Sequence, residues 1–181
     1  MVLNMSYGVE LRPLQPWDLP TLRRWRNQDE VRLQMVEQAL ISPRQQRQWF
    51  VSSLERPDQQ HWVLWCRGLR AGYVNLKGET RQLLQGQPVA DAGLYLGRSS
   101  VRHPMLAVAA ALSQLDQGFD TFELGCIRTL VRTGNDAALR LNAQLGYRQQ
   151  GQQGQQGDFI ALELQPADYY AARERLRRFF R

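Results

Sequence analysis

The apolar positions of the first sixty residues predict one strand followed by three helices. The strand pattern begins at Val9 and reaches Leu14, with apolar residues on one side. Apolar residues then recur at helical spacing over residues 16–25 and 29–35. A third helix is predicted to begin at Ser42, the N-cap, with Pro43 as the first helical residue.

The middle of the chain predicts three strands and a long helix. Residues 61–67 and 71–76 are rich in aromatic and β-branched side chains, and Gly68 between them predicts a hairpin. Residues 77–88 are predicted to form a polar surface loop, and residues 89–96 another strand. A glycine-bearing loop then leads into an Ala/Leu-rich helix from about Pro104 to Phe119, and this order is typical of phosphate-binding sites.

The last sixty residues predict a strand, a helix, two strands and a final helix. Strand character extends over residues 122–131, and the helix 135–145 has Asn135 as N-cap and Gly146 as its stop. Extended structure resumes at Tyr147 and Arg148. Residues 149–157 are three consecutive QQG triplets, which we interpret as a flexible connection to the second strand, at 159–164. The final helix begins at Pro166, and four of its residues are predicted to share one face: Tyr169, Ala172, Leu176 and Phe179. The pattern indicates an α/β fold with one mixed sheet, in a single domain over residues 1–181.

Composition and charge narrow the range of partners only slightly. The chain is 43% hydrophobic and 22% charged, as in ordinary globular proteins, and its formal net charge is +6. Lys77 is the only lysine, so the positive charge is almost entirely guanidinium, which matches phosphate oxygens in bidentate geometry. The arginines are scattered rather than clustered, so a solvated surface explains them equally well. We expect no nucleic-acid partner, because no arginine-and-aromatic stripe is present.

The small number of cysteines and histidines argues against a metal site. Cys66 and Cys126 lie far apart in the sequence, and His61 and His103 are the only histidines. Two solitary thiols, and a start without a basic and apolar leader, predict a cytoplasmic protein. The longest apolar run is far shorter than the roughly 20 residues of a membrane span, so no membrane partner is expected.

Four local strings carry a family resemblance over nearly the whole chain. They are LRRWRN (22–27), AGLYLG (92–97), SVRHPMLA (100–107) and NDAALRLNAQLGY (135–147). In this order of elements they resemble the GCN5-related N-acetyltransferase (GNAT) superfamily. The resemblance implies a single mixed, mostly antiparallel sheet that splays open and is flanked by helices. It also implies acetyl-CoA as co-substrate, without a metal.

The resemblance assigns the cofactor site residue by residue. The pantetheine arm would lie against the strand backbone of Leu94, Tyr95 and Leu96, beside Asn135. The pyrophosphate would lie over the loop and helix start formed by Arg102, His103, Met105, Leu106 and Ala107. The superfamily has a glycine where this chain has Met105, and Pro104 removes one N–H group from the loop.

Two residues are candidates for the proton transfers of the reaction. Asp91, where relatives often have a carboxylate, is the candidate base for the acceptor ammonium; Glu123 and His61 are weaker candidates. Alternatively, Asp91 only ends a strand or pairs with an arginine. Asn142 occupies the position of the tyrosine that protonates the departing thiolate in relatives, and an amide is not an effective proton donor. A backbone N–H of residues 94–96 would bind the oxyanion.

The acceptor is the least determined part of the prediction. Residues 22–50 resemble the branch that acetylates the 4-amino group of a UDP-linked amino-dideoxy sugar in pseudaminic acid synthesis, close to the ribosomal-protein acetyltransferases. That resemblance places Arg26, Met35, Gln46 and Trp49 in the substrate wall, although Met35 and Trp49 also fit a plain core. The acceptor would be a small-molecule amine. The alternatives are a protein N-terminal acetyltransferase and a non-catalytic GNAT-fold binding module, and a homodimer is left open.

Overall fold

In the computed structural model, residues 4–97, 104–154 and 157–180 are described, and they build one sheet of eight strands. The strands are β1 (Asn4–Ser6), β2 (Val9–Pro13), β3 (Gln59–Cys66), β4 (Leu69–Gly78), β5 (Ala90–Leu96), β6 (Ile127–Arg132), β7 (Arg148–Gln153) and β8 (Phe159–Leu164). The helices are α1 (Leu19–Arg26), α2 (Asp29–Arg32), α3 (Pro43–Leu54), α4 (Pro104–Asp116), α5 (Asp136–Gln144) and α6 (Pro166–Leu176). Short turns of other helix types precede α1 and follow α4 and α6.

The sheet is antiparallel except at one junction. Its strand order is β1-β2-β3-β4-β5-β6-β8-β7, and only β5 and β6 run parallel. That pairing joins two residue pairs, whereas β4 and β5 pair over seven. The predicted mixed, mostly antiparallel, splayed sheet flanked by helices is therefore confirmed.

Two apolar clusters cover the two faces of the sheet. On one face, α4 packs against residues such as Val74, Leu76 and Ile127, all fully buried. On the other face, α1 and α3 pack against residues such as Val63 and Tyr73. Successive residues of a strand point to opposite faces, so β4 alternates between the two clusters. The sheet is thus covered by helices on both sides.

Local signals in the sequence place the start of α3 and both ends of α5 correctly. Ser42 caps α3 through a reciprocal capping box with Gln45, and the Asn135 side chain accepts a hydrogen bond from the Ala138 N–H at 3.2 Å. Gly146 follows α5 with φ of +96°, a left-handed conformation that glycine adopts without strain.

Three predictions about elements are wrong. The predicted strand over 122–131 begins only at Ile127, because Glu123 has φ of +52° and Gly125 packs against the backbone of Pro88. Residues 149–153 of the QQG tract belong to β7 and pair with β8 rather than serving only as a flexible connection. Phe179 is 71% exposed, because it lies in a final 3₁₀ turn beyond α6.

The polar loop before β5 is more ordered than its composition suggests. Gln87 is buried, and its side-chain amide donates to the backbone carbonyls of Thr80, Gln82 and Leu83. Leu84 is 2% exposed and joins the main core. The loop therefore packs onto the sheet next to the start of β5.

None of the helices in the described part of the chain has the length and apolar character needed to cross a membrane. Within the same residues, no three His, Cys, Asp or Glu side chains come together in a way that could hold a metal ion.

Candidate active site

The strands β5 and β6 are joined at one end and separate at the other. Ala90 pairs with Ile127 and Asp91 pairs with Arg128, and the described residues form no further pair between the two strands. The Ala90 N–H donates to the Cys126 carbonyl at 3.0 Å. Because backbone groups alternate along a strand, the N–H of Leu94 faces the same side as that of Ala90, into the gap.

A cleft of about 810 Å³ occupies this opening. Its wall on the α4 side includes Ala111, Gln114 and Leu115, with Asn135 and Asn142 from the region of α5. The wall on the opposite face includes Met35, Asn75, Lys77, Asp91 and Arg128. The cleft therefore reaches both faces of the sheet through the gap between β5 and β6, so two reactants could meet there from opposite sides.

The residues predicted to hold the cofactor lie on β5, in the loop and first turn of α4, and at the start of α5. Leu94 lines the cleft, whereas the Tyr95 side chain points to the other face, where its ring lies 5.3 Å from that of Tyr73. Leu96 packs against the main core, so only backbone groups of these last two residues could face a ligand in the gap.

The predicted pyrophosphate loop is described only in part. Arg102 and His103 lie outside the described residues. Leu106 is buried in the core, and Met105 and Ala107 are half-buried in the first turn of α4. Just before the loop, the Gly97 backbone packs against the Trp25 ring, and a Cβ at this position would overlap the indole.

The two asparagines of the α5 region both line the cleft. The Asn135 side chain caps α5, as predicted, and stands at the cleft wall. The Asn142 Nδ2 donates to the Ala138 carbonyl one turn earlier, at 2.9 Å. The Tyr147 phenol, which the sequence analysis did not single out, lines the same cleft, and burial raises its pKa.

Asp91 lies in the cleft at the point where the sheet opens. Its side chain is 61% exposed, and its Oδ1 lies 3.3 Å from the Arg128 Nε. The Arg128 guanidinium also lies 3.3 Å from a carboxylate oxygen of Glu79. Both interpretations of Asp91 thus have a structural basis: it faces the cleft, and it pairs with an arginine.

The structure separates the four predicted acceptor residues. Met35 lines the cleft, but the described lining does not include Arg26, Gln46 or Trp49. The Arg26 guanidinium donates to the Glu37 carbonyl, and burial lowers its pKa. Gln46 is buried in α3, and the Trp49 ring lies edge-on to His61 at 5.2 Å.

A buried chain of hydrogen bonds ends at the cleft. The His61 Nδ1 lies 2.7 Å from the Tyr73 hydroxyl, and the His61 Nε2 lies 3.1 Å from the Gln59 Oε1. The Asn75 Nδ2 donates to the Tyr73 hydroxyl at 3.1 Å. Burial, then the Lys77 charge, lowers the pKa of His61 to about 4, so His61 is neutral at pH 7 with both nitrogens occupied.

Neither weaker base candidate contributes a free base to the cleft. His61 is 9% exposed and bonded at both ring nitrogens. Glu123 accepts a hydrogen bond from Gln85 at 2.8 Å, and the described lining of the cleft does not include it.

Asn75 and Lys77 are site residues that the sequence analysis missed. Burial lowers the pKa of Lys77, and the nearby Asp91 carboxylate opposes that shift. Lys77 is paired with Asp91 in the sheet register. The available signal was the alternation of Tyr73, Asn75 and Lys77 with apolar residues in β4, which puts three polar side chains on one face.

Comparison with known proteins agrees with this geometry. The sequence profile of the acetyltransferase (GNAT) domain family matches residues 9–148. A search of curated proteins finds no match.

Solved structures of similar fold cover nearly the whole chain at low identity. Spermidine N-acetyltransferase from Vibrio cholerae, in complex with CoA and spermine, has a TM-score of 0.80 at 16% identity, covering 91% of this chain and 99% of that one. FdhC, described as a nucleotide-linked sugar GNAT, has a TM-score of 0.79 at 17% identity, covering 97% and 96%. The aminoglycoside acetyltransferase AAC(6')-Ib in complex with coenzyme A has a TM-score of 0.74 at 18% identity, covering 91% and 99%. At such identities these likenesses show a shared fold.

The family match covers more than half of the chain, and the splayed sheet is the one that the resemblance implies. The chain belongs to the GNAT acetyltransferase family, which confirms the predicted enzyme class, an N-acetyltransferase that uses acetyl-CoA as co-substrate.

Proposed function

We propose that this protein transfers the acetyl group of acetyl-CoA to the primary amine of a small acceptor that also carries an anionic group, such as a nucleotide-linked amino sugar. The observation that carries the proposal is the cleft through the sheet, which opens where β5 and β6 separate. A thioester entering from the α4 side and an amine entering from the other face would meet at this opening.

The cleft suits the elongated arm of acetyl-CoA. Its volume is about 810 Å³, within the usual range for small-molecule sites, and the Leu94 N–H faces the gap. Asn135, and the turn that begins α4, would hold the co-substrate on that side. Bound acetyl-CoA supplies an acetyl group activated as a thioester.

Side chains on the acceptor face would prepare the amine. An ammonium has no lone pair, so the Asp91 carboxylate removes its proton, directly or through water. The Leu94 N–H donates a hydrogen bond to the carbonyl oxygen as negative charge develops on it. The new C–N bond replaces the C–S bond, and the nitrogen loses a second proton as the amide forms. The thiolate leaves toward the side of Asn142, which has no acidic proton to give, so the thiolate takes up a proton from water.

The charges around the cleft favour an acceptor with an anion. Lys77, Arg128 and Arg132 line it, against Asp91 and Glu163. Arg128 is already shared by Asp91 and Glu79, which leaves Lys77 and Arg132 as cations that could meet a phosphate. Met35 and Leu130 supply apolar surface that suits a deoxygenated sugar face. A polycationic amine would meet repulsion from these cations.

The decisive experiment measures acetyl transfer from labelled acetyl-CoA to a UDP-linked 4-amino-dideoxy sugar, kanamycin, spermidine and peptides with free N-termini. We expect the nucleotide-linked sugar to be the best acceptor. Preference for peptides would support the N-terminal acetyltransferase alternative.

Asn142→Tyr restores a phenol near the leaving thiolate and should raise the rate. Saturable acetyl-CoA binding with no transfer by wild type or Asn142→Tyr would contradict the proposal and favour a binding module.

A further inference from the structure

The amide of Asn75 is held at the sheet opening by a chain of side-chain hydrogen bonds. Val74 and Leu76 belong to the core cluster beneath α4, so Asn75 between them points to the acceptor face. Its backbone carbonyl accepts a hydrogen bond from the Gln114 Nε2 at 2.7 Å, and the same nitrogen donates to the Gly93 carbonyl at 2.9 Å. Gln114 thereby fixes Asn75 relative to β5.

The hydrogen-bond chain determines which way the Asn75 amide faces. The Gln59 Oε1 accepts a hydrogen bond from the His61 Nε2, so the neutral ring leaves Nδ1 as an acceptor. The Tyr73 hydroxyl donates a hydrogen bond to that nitrogen. Its oxygen therefore accepts a hydrogen bond from the Asn75 Nδ2 at 3.1 Å. Burial raises the pKa of Tyr73, so its hydroxyl stays protonated and remains a donor.

The side-chain carbonyl oxygen of Asn75, Oδ1, accepts no hydrogen bond from the residues that the structure describes. Asn75 lines the cleft. Its amide lies directly over Gly93, where an added Cβ would come within 3.0 Å of Nδ2 and 3.1 Å of Oδ1. Gly93 precedes Leu94, whose N–H faces the gap, so an acceptor oxygen stands beside the place where transfer would occur.

We propose that the Asn75 Oδ1 binds the acceptor amine through an N–H···O hydrogen bond and so aims its lone pair at the thioester carbon. This inference rests on the proposed transferase function and deepens it. Asn75 itself accepts no proton; Asp91 does that. Tyr73, His61 and Gln59 are positioning residues, because they act on the substrate only through the orientation of the Asn75 amide.

The test compares Asn75→Ala, Asn75→Asp and Tyr73→Phe with wild type, using the UDP-linked 4-amino-dideoxy sugar as acceptor and calorimetry for acetyl-CoA. Asn75→Ala should lower kcat/KM for the acceptor at least tenfold, while the Kd for acetyl-CoA stays within twofold. Asn75→Asp, which keeps an acceptor oxygen, should recover part of the rate. Tyr73→Phe should lower it about threefold, because the amide is then free to turn.

Two outcomes would overturn the inference. One is an unchanged kcat/KM in Asn75→Ala, and the other is a loss of acetyl-CoA affinity that matches the loss of transfer, which would indicate a structural role. Gly93→Ala gives an independent check, because its Cβ would crowd the amide; we expect it to resemble Asn75→Ala in kcat/KM and wild type in urea unfolding. If wild type acetylates no acceptor, the proposed function fails as well, whereas normal transfer by Asn75→Ala contradicts this inference alone.

Discussion

At the scale of single residues, the pairing of charges across the sheet opening governs the proposed chemistry. Asp91 and Arg128 face each other where β5 and β6 separate, and Glu79 shares the same guanidinium. An ion pair this exposed contributes about 0–1 kcal/mol to stability. Its main effect is therefore to hold the carboxylate at the cleft rather than to stabilise the fold.

Asp91→Asn should lower the rate of acetyl transfer by about 100-fold at neutral pH, since general base catalysis typically contributes 10²–10⁴-fold. The defect should shrink at high pH, where the acceptor amine is already deprotonated. Pre-steady-state transfer measured across a pH series checks this. Glu79→Gln is the matched control, because it also removes a carboxylate beside Arg128 but lies outside the described lining of the cleft. A defect that is independent of pH would exclude Asp91 as the base.

His61 should make stability depend on pH below neutrality. Its pKa is lowered to about 4 by burial first and by Lys77 second, with Asp58 opposing, whereas an unfolded histidine titrates near 6.5. The unfolded chain therefore binds a proton that the folded chain does not, and stability falls as pH drops from about 6.5 toward 4. The full loss would be about 3 kcal/mol. Urea unfolding at several pH values should show a flatter profile for His61→Gln, and identical profiles would rule out this explanation.

At the scale of elements, the end of α4 is tied to the C-terminal helix by a shared carboxylate. Asp116 accepts hydrogen bonds from Tyr7 at 2.8 Å, Tyr169 at 2.6 Å and Arg173 at 2.8 Å. The turn of π-helix at Gln117–Thr121 follows, and Asp120 within it meets the same arginine at 2.6 Å. This cluster fixes α6 against the end of α4.

Arg173→Met should reduce the free energy of unfolding by about 2 kcal/mol, because it leaves the half-buried Asp116 without its cation. Arg175→Met is the control on the same helix, where the arginine is exposed, and should change stability by less than about 0.5 kcal/mol. Urea unfolding of the two variants distinguishes them. Equal stabilities would show that the cluster contributes nothing beyond packing.

The QQG tract should tolerate the loss of one triplet even though part of it forms β7. Deleting residues 155–157 leaves the sequence of β7 unchanged and joins Gly154 directly to Asp158. These two residues then connect Gln153 to Phe159, which pair with each other in the sheet. Gly-Asp suits a two-residue hairpin turn. The entropic cost of closing a loop depends only weakly on its length. Stability should change by less than about 1 kcal/mol in urea unfolding. A loss above about 2 kcal/mol would mean that the removed residues are packed.

At the scale of the whole molecule, the two parts of the sheet are joined by one short parallel pairing. A ligand in the gap between β5 and β6 would contact both parts and add backbone hydrogen bonds across the opening. Binding would therefore raise the free energy of unfolding, because any ligand that binds only the folded state stabilises that state.

Acetyl-CoA should slow hydrogen exchange in β5 and β6 while leaving β2 and β3, which are far from the gap in strand order, unchanged. It should also raise the melting temperature, with about 2.7 kcal/mol of stabilisation at 100 times the Kd. Adenosine 3′,5′-bisphosphate, which lacks the pantetheine arm, is the control ligand and should not protect β5. Protection confined to other elements would place the ligand elsewhere.

The sequence by itself determined the elements that depend on local interactions. The Ser42 and Asn135 caps, the Gly146 stop and the strand Phe159–Leu164 each rest on residues within about four positions of one another, and all match the structure. Periodicity along the chain predicted the order of the elements, and the family resemblance implied the opening between β5 and β6. The extent of the single domain, 1–181, stays a prediction.

Only the tertiary structure decided which side chains meet at that opening. β7 has no apolar pattern, and it is a strand because β8 offers it an edge. Gln59, His61, Tyr73 and Asn75 become a chain only when β3 and β4 pair, and the same packing places Met35 in the cleft and Trp49 against His61. Such contacts join residues distant in sequence, and no local spacing encodes them, because their free energy depends on register and burial that exist only in the folded chain.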